Sequence, residues 1–273
     1  GSYDAAPLPV VAYLSTVSKL GGLTAVVLVA VGVFGSQLGH VAVVFAVVAV
    51  ASMTLGNLAA LRQLRLSRLL AWSSIAQLGY ALAPLGALGS TVSGDDAARH
   101  AVRQLVAGSL GYLVLYLAVT LGLLAALVAI RAPRDDGGSL DDLRGLAYRR
   151  PWLCAGLLFG LAGLAGLPPA LAGMFAKLAV LHALLEAGAA WLAVVVVCNA
   201  VVGLAVYGRL VRSCFRRSVP DAGSDGERPT ERSRLPVSVA LSLTVAVAIV
   251  GVVPEPIFDV CDRIAGALTE LLI

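Results

Sequence analysis

Charge is scarce in this chain of 273 residues. Asp, Glu, Lys and Arg make up 13% of it, about half the share of an ordinary soluble domain, which is about 25%. No carboxylate falls in the centre of any apolar run, so a cation site built from buried acids is not expected. The four cysteines, Cys154, Cys198, Cys214 and Cys261, are scattered. They form no CxxC and have no histidine at ligand spacing, which argues against a metal centre, an iron–sulfur cluster or a disulfide framework. No glycine-rich nucleotide-binding pattern occurs. Lysine is the rarest cation: of twenty basic residues two are lysines, Lys19 and Lys177. The net charge of +4 comes from arginines clustered between apolar runs, a topology signal and not a nucleic-acid footprint. The chain opens at Gly1 without an initiator methionine, which fits a fragment of a longer protein or a truncated one.

Apolar sequence is abundant. Hydrophobic residues reach 59%, and the mean hydropathy is +0.91. Long apolar runs alternate with short charged stretches, the pattern of a polytopic all-α integral membrane protein. Spans are expected over 9–33, 40–61, 69–88, 100–130, 151–185, 191–210 and 235–253, with an amphipathic interfacial helix over 257–273. The stretch 211–234 reads as a polar loop. The loops after the second, fourth and sixth spans hold most of the arginines, which puts that side and the N-terminal end in the cytoplasm and the C-terminal end outside.

The fifth segment is too long for one span. An unbroken helix over 151–185 would measure about 52 Å against a hydrocarbon core of roughly 30 Å. Pro168 and Pro169 are expected to break it, freeing carbonyls that need new partners. Lys177 lies beyond that break, about 13–14 Å before Glu186 along a helix, and Lys19 lies about 15 Å past Pro9. Both belong near the bilayer midplane. A charged side chain there costs at least about 2.5–3.5 kcal/mol. Lysine, unlike arginine, releases its proton when buried, so the pair points to proton handling; a snorkelling lysine or a fixed counter-ion is the blander reading. With no carboxylate in a span centre, the partners expected for the lysines are water, the carbonyls of broken helices or acids on another segment.

Other polar residues lie in the spans. Ser73, Gln77 and Tyr80 share a helix face, and Gln77 falls near mid-depth, suiting either a water chain or an interhelical hydrogen bond. Ser15 precedes Lys19 by one helical turn. Ser109, Tyr112, Tyr116 and Thr120 form a stripe better suited to packing than to a pathway. Asn57 reads as structural, and His40, His100 and His182 as ordinary span-end residues.

Three stretches carry a resemblance: APLPVVAYLSTVSKLGG, MTLGNLAALRQLRLSRLLAWSSIAQLGYAL and LAGLPPALAGMFAKLAVL. In that order they resemble the C-terminal half of the antiporter-like, proton-translocating subunits of respiratory complex I. Lysine in both the SK position and the broken helix makes the subunit N branch the nearest. The resemblance implies two inverted five-helix repeats, each with one broken helix. Residues 1–33 would hold the bridging helix after a short loop, and 34–212 the second repeat with its break in 151–185; 213–234 would be a cytoplasmic loop, and 235–273 the last span with the interfacial helix. The family's first-repeat glutamate and lysine would lie upstream. Lys19, Lys177 and Gln77 would form the proton pathway, with Ser15, Ser73, Tyr80, Tyr112 and Tyr116 as secondary candidates.

The function so implied is proton translocation coupled to quinone reduction elsewhere in a bacterial plasma-membrane complex. No cofactor is expected in this chain; FMN, iron–sulfur clusters and quinone would belong to other subunits. The partners implied are a sister antiporter-like subunit, small membrane subunits and the lipid bilayer, with no nucleic acid. A subunit of a multisubunit cation/proton antiporter, or a non-conducting structural subunit, are the alternatives.

Overall fold

The backbone forms helices because lipid offers it no hydrogen-bond partners. A computed structural model describes residues 8–32, 38–91, 96–130, 138–216 and 234–272. The α-helices in chain order are α1 (Leu8–Gly32), α2 (Leu38–Arg62), α3 (Leu66–Leu82), α4 (Asp96–Ile130), the single turn α5 (Leu146–Arg149), α6 (Pro151–Ala165), α7 (Leu171–Glu186), α8 (Ala190–Phe215), α9 (Arg234–Val252) and α10 (Glu255–Leu272). Short 3-10 helices cover Pro84–Thr91 and Leu140–Leu143. Among the described residues there is no strand.

Helix α4 is the axis. It packs against α1, α3, α6, α7, α9 and α10, and 72% of its apolar window is buried within the chain, against 33% for α2 and 39% for α8. The two outer helices instead show apolar side chains outward: Val43, Val47 and Leu55 on α2, and Trp191, Val194 and Val201 on α8. An all-apolar outer surface is what a helix facing lipid requires. Between membrane helices the attraction is mostly close packing, so small residues sit at the contacts. Gly56 lies against Ala76, and Gly79 against Met53 and Ala49, which seats α2 on α3.

Several expected boundaries shift. The third span ends as an α-helix at Leu82 and continues as the 3-10 turn Pro84–Thr91; Pro84 supplies no N–H to continue the α ladder. Among the described residues, three helices are long and apolar enough to cross a membrane by themselves: Gly39–Arg62, Ala98–Ile130 and Ala190–Phe215. A fourth crossing arises if α9 and α10, bent by 70° at Pro254, count as one. Of the other expected spans, α1 runs 25 residues with its side chains described from Thr16 onward, α3 has 17, and the fifth is split into α6 and α7. The terminal helix α10 lies along α4: it buries Cys261, Ala265 and Thr269, sets Phe258 against Gly111 and pairs Asp262 with Arg103, whose Nε donates at 2.8 Å. Part of the amphipathic pattern is therefore consumed by protein contact. Most of the polar loop expected over 213–234 lies outside the described residues.

Candidate functional site: a polar layer between two lysines

Helix α6 stops where its chemistry demands. Gly166 follows Ala165 with φ +80°, a conformation glycine adopts without a Cβ clash. Gly166 N donates to Gly163 O at 3.0 Å, and Leu167 N to Ala162 O at 2.9 Å. Those two bonds make a Schellman cap, and they satisfy the carbonyls of Ala162 and Gly163. The next two, Leu164 O and Ala165 O, point into the protein without a helical partner. Lys177 meets both: its Nζ donates to Leu164 O at 3.0 Å and to Ala165 O at 2.6 Å. A cation at the negative end of a helix is favourable in its own right.

Helix α7 brings Lys177 there. After the cis Pro168–Pro169 bond it starts at Leu171 and carries on past the break along α4: Gly156, Gly160 and Gly163 of α6 lie against Ala126, Leu123 and Val119, and Ala179 and Ala183 of α7 lie against Gly108. At the closest point a Cβ on Gly173 would stand 1.7 Å from Gly163 O, so no larger residue fits. A Cβ on Gly166 would in turn stand 2.8 Å from Lys177 Cδ. Two glycines thus shape the seat of one ammonium.

Around that seat the hydrogen bonds spread over four more helices. Gln77 Nε2 donates to Leu164 O at 3.3 Å and to Tyr207 Oη at 2.8 Å, while the Tyr112 hydroxyl donates to Gln77 Oε1. Ser73 Oγ and Tyr207 Oη are 2.6 Å apart. The Tyr80 ring lies 5.3 Å from Lys177 Nζ, within cation–π range. Asn57 Nδ2 holds the Tyr80 hydroxyl at 3.3 Å and also reaches Asn199 O at 3.0 Å, so it bonds a neighbouring helix as well.

Lys19 occupies the other end of the layer. Its Nζ donates to Tyr116 Oη at 3.0 Å and stands 5.4 Å from the same ring's centroid. Tyr116 Oη donates to Ser74 Oγ at 3.3 Å, and its ring stacks on Tyr112 with centroids 6.3 Å apart. Between the two halves, Gln77, Tyr112, Tyr116 and Lys177 border a cavity of about 10 Å³, the room one water needs.

The structure therefore brings Lys19, Ser73, Gln77, Tyr80, Tyr112, Tyr116 and Lys177 into one layer. The tyrosine stripe, expected to be packing, supplies hydroxyls to both ends. Ser15 lies on α1, with its side chain outside the described residues. His40, His100 and His182 are exposed and away from the layer. Sequence reasoning missed Tyr207 and Asn199. Their signal is the row Asn199, Gly203 and Tyr207, four residues apart on the valine-rich α8, which makes one polar, small-residue face. Among the described residues no cluster of His, Cys, Asp or Glu has the makings of a metal site.

Comparison with known proteins follows the same line. Residues 1–203 match the family described as NADH:quinone oxidoreductase/Mrp antiporter, TM. A relative named NADH-quinone oxidoreductase subunit N, from Salinispora tropica, is 52% identical over 80% of this chain and 42% of its own length. A chain in the structure of respiratory complex I from Thermus thermophilus with bound aureothin superposes with a TM-score of 0.70 at 27% identity, over 94% of this chain and 52% of that one. A chain of the Mrp complex from Dietzia shares the fold at a TM-score of 0.67 and 22% identity, over 83% of this chain and 47% of that one. The chain spans about half the length of the relatives it matches.

Proposed function

Because this chain belongs to the NADH:quinone oxidoreductase/Mrp antiporter transmembrane family, we propose that it works as a proton-translocating membrane-arm subunit of an NADH-quinone oxidoreductase. The observation that carries this is the hydrogen-bonded layer with a lysine at each end. Lys177, held by the Leu164 and Ala165 carbonyls, is the terminal proton carrier. Lys19, bonded to Tyr116, is the carrier that faces the preceding half of the longer relatives.

Transfer between them needs no redox chemistry in this chain. The Tyr116 hydroxyl takes a proton from Lys19 as it hands its own to a water in the cavity it shares with Lys177. That water passes one on to a neutral Lys177. Gln77, Tyr112 and Tyr80 orient the acceptor and stabilise its charge. Quinone reduction, with its FMN and iron–sulfur clusters, belongs to other subunits, and a sister antiporter-like subunit and small membrane subunits adjoin this one. The arginine-rich loops support an N-terminal end in the bacterial cytoplasm and a C-terminal end outside.

Cation/proton antiport is the second reading, favoured by the fold shared with the Dietzia Mrp chain. A sodium site asks for hard oxygen ligands, and carboxylates above all. The buried polar residues described in this chain are Ser, Thr, Asn and Gln without one acid, which supports the proton. The test is Lys177→Ala in the whole complex, reconstituted in liposomes. Coupled quinone reduction and pumping are expected to fall roughly tenfold, with no response to sodium. Wild-type pumping in that variant overturns the role of Lys177, and sodium-dependent transport overturns the choice of proton.

A further inference from the structure

A threonine inside a helix has a partner ready at hand, the carbonyl one turn back. Thr244 and Thr269 take it, donating to Ala240 O at 2.8 Å and to Ala265 O at 2.7 Å. Thr120 does not. Its side chain is 5% exposed, and its Oγ1 has no hydrogen-bond partner. A buried hydroxyl left unpaired is costly, so its place needs a cause.

Thr120 borders a cavity of about 10 Å³ between α3, α4 and α6. Ser73, Ser74 and Tyr116 share its wall, and Leu70, Leu123, Leu124 and Leu164 close it. That is room for one water and not for a chain of them. A buried water needs two to four polar partners, and the wall offers four hydroxyl oxygens. Ser74 accepts from Tyr116, which Lys19 bonds. Ser73 is paired with Tyr207, which Gln77 bonds. The two serines are consecutive, so they point about 100° apart on α3 and cannot bond each other across the wedge.

We propose that this cavity binds one structural water, held by Thr120 together with Ser73, Ser74 and Tyr116, and that this water joins the Lys19 group to the Tyr207–Gln77 group. Thr120 is then a positioning residue, keeping its hydroxyl off the helix carbonyl in order to hold the water. The water gives the Tyr116 hydroxyl a third neighbour beside Lys19 and Ser74, so the rotor that hands protons on stays hydrogen-bonded as it turns. The leucines behind it shut the layer off toward the Ile130 end of α4. The transport consequence rests on the function proposed above; the occupancy of the cavity does not.

The test has two arms. A high-resolution cryo-EM map of the whole complex is expected to show density within hydrogen-bond distance of Thr120 Oγ1 and Ser74 Oγ. A dry cavity, with Thr120 turned onto the Tyr116 carbonyl, overturns the site. Thr120→Val keeps the shape and removes the hydroxyl, whereas Thr120→Ser keeps the hydroxyl. The valine variant is expected to lose the density, slow coupled quinone reduction severalfold and change its solvent deuterium isotope effect, with the serine variant restoring all three. A valine variant with wild-type rate and isotope effect overturns the linking role. Normal pumping by Lys177→Ala would instead sink the transport reading and leave the water standing.

Discussion

Lys177 and Lys19 have the same side chain in two different settings. Lys177 is held from several sides: two carbonyls of a helix end, a tyrosine face, and a glutamine that shares one of those carbonyls. Lys19 stands at the edge of the bundle with one neutral hydroxyl as its hydrogen-bond partner, on a helix whose neighbouring residues Val17, Ser18 and Leu20 are exposed. Side by side they show two ways in which a helix bundle keeps a cation among apolar helices. The broken helix turns two carbonyls from a liability into a receptor, so structure and charge need each other at Lys177. At Lys19 the fold and the charge are nearly independent.

The harshest way to break this contrast is Gly173→Ala. A methyl group aimed at Gly163 O forces α6 and α7 apart at a cost of about 3 kcal/mol or more. The expected outcome is loss of assembled complex on a native gel; a variant that assembles and melts like wild type would show that the contact is looser than described. Lys177→Ala comes next: Leu164 O keeps Gln77, but Ala165 O is orphaned at a cost of about 1–3 kcal/mol, and thermal unfolding in detergent should drop clearly. Lys177→Arg separates the two roles: it keeps donors for the carbonyls but holds its proton, so melting is expected to recover while pumping stays lost.

Lys19→Ala probes the other lysine. It removes one hydrogen bond worth about 0.5–1.5 kcal/mol, so melting should barely move although coupled transport falls. A large melting shift would mean that Lys19 also serves the fold. Tyr116→Phe should have the smallest effect on stability, because the ring stays stacked on Tyr112. A double-mutant cycle of Lys19→Ala with Tyr116→Phe is expected to show coupling in transport rates, and additive losses would disconnect the two groups.

Much of this could be read in the chain beforehand. The two prolines and the excess length of 151–185 announced a break, and the period of 3.6 put Ser73, Gln77 and Tyr80 on one face. The same period put Tyr112 and Tyr116 on one face of α4, but it could not say that the face looked toward Lys19 and Gln77, so the stripe read as packing. Tyr207 was harder still: it meets Ser73 from 134 residues away. The docking of α10 on α4 was hidden for another reason. An amphipathic helix has the same pattern whether its apolar face meets lipid or protein.

Hydropathy, proline chemistry and the rise per residue are local properties, so the chain alone required helices that close their own hydrogen bonds, a break in one of them, and two lysines set well inside apolar runs. Which helix stands opposite which was decided by tertiary packing. Lys177 finds its carbonyls because Gly173 lets α7 touch α6, and Lys19 finds Tyr116 across 97 residues. The periodicity of a helix specifies its faces; close packing between helices assigns their partners.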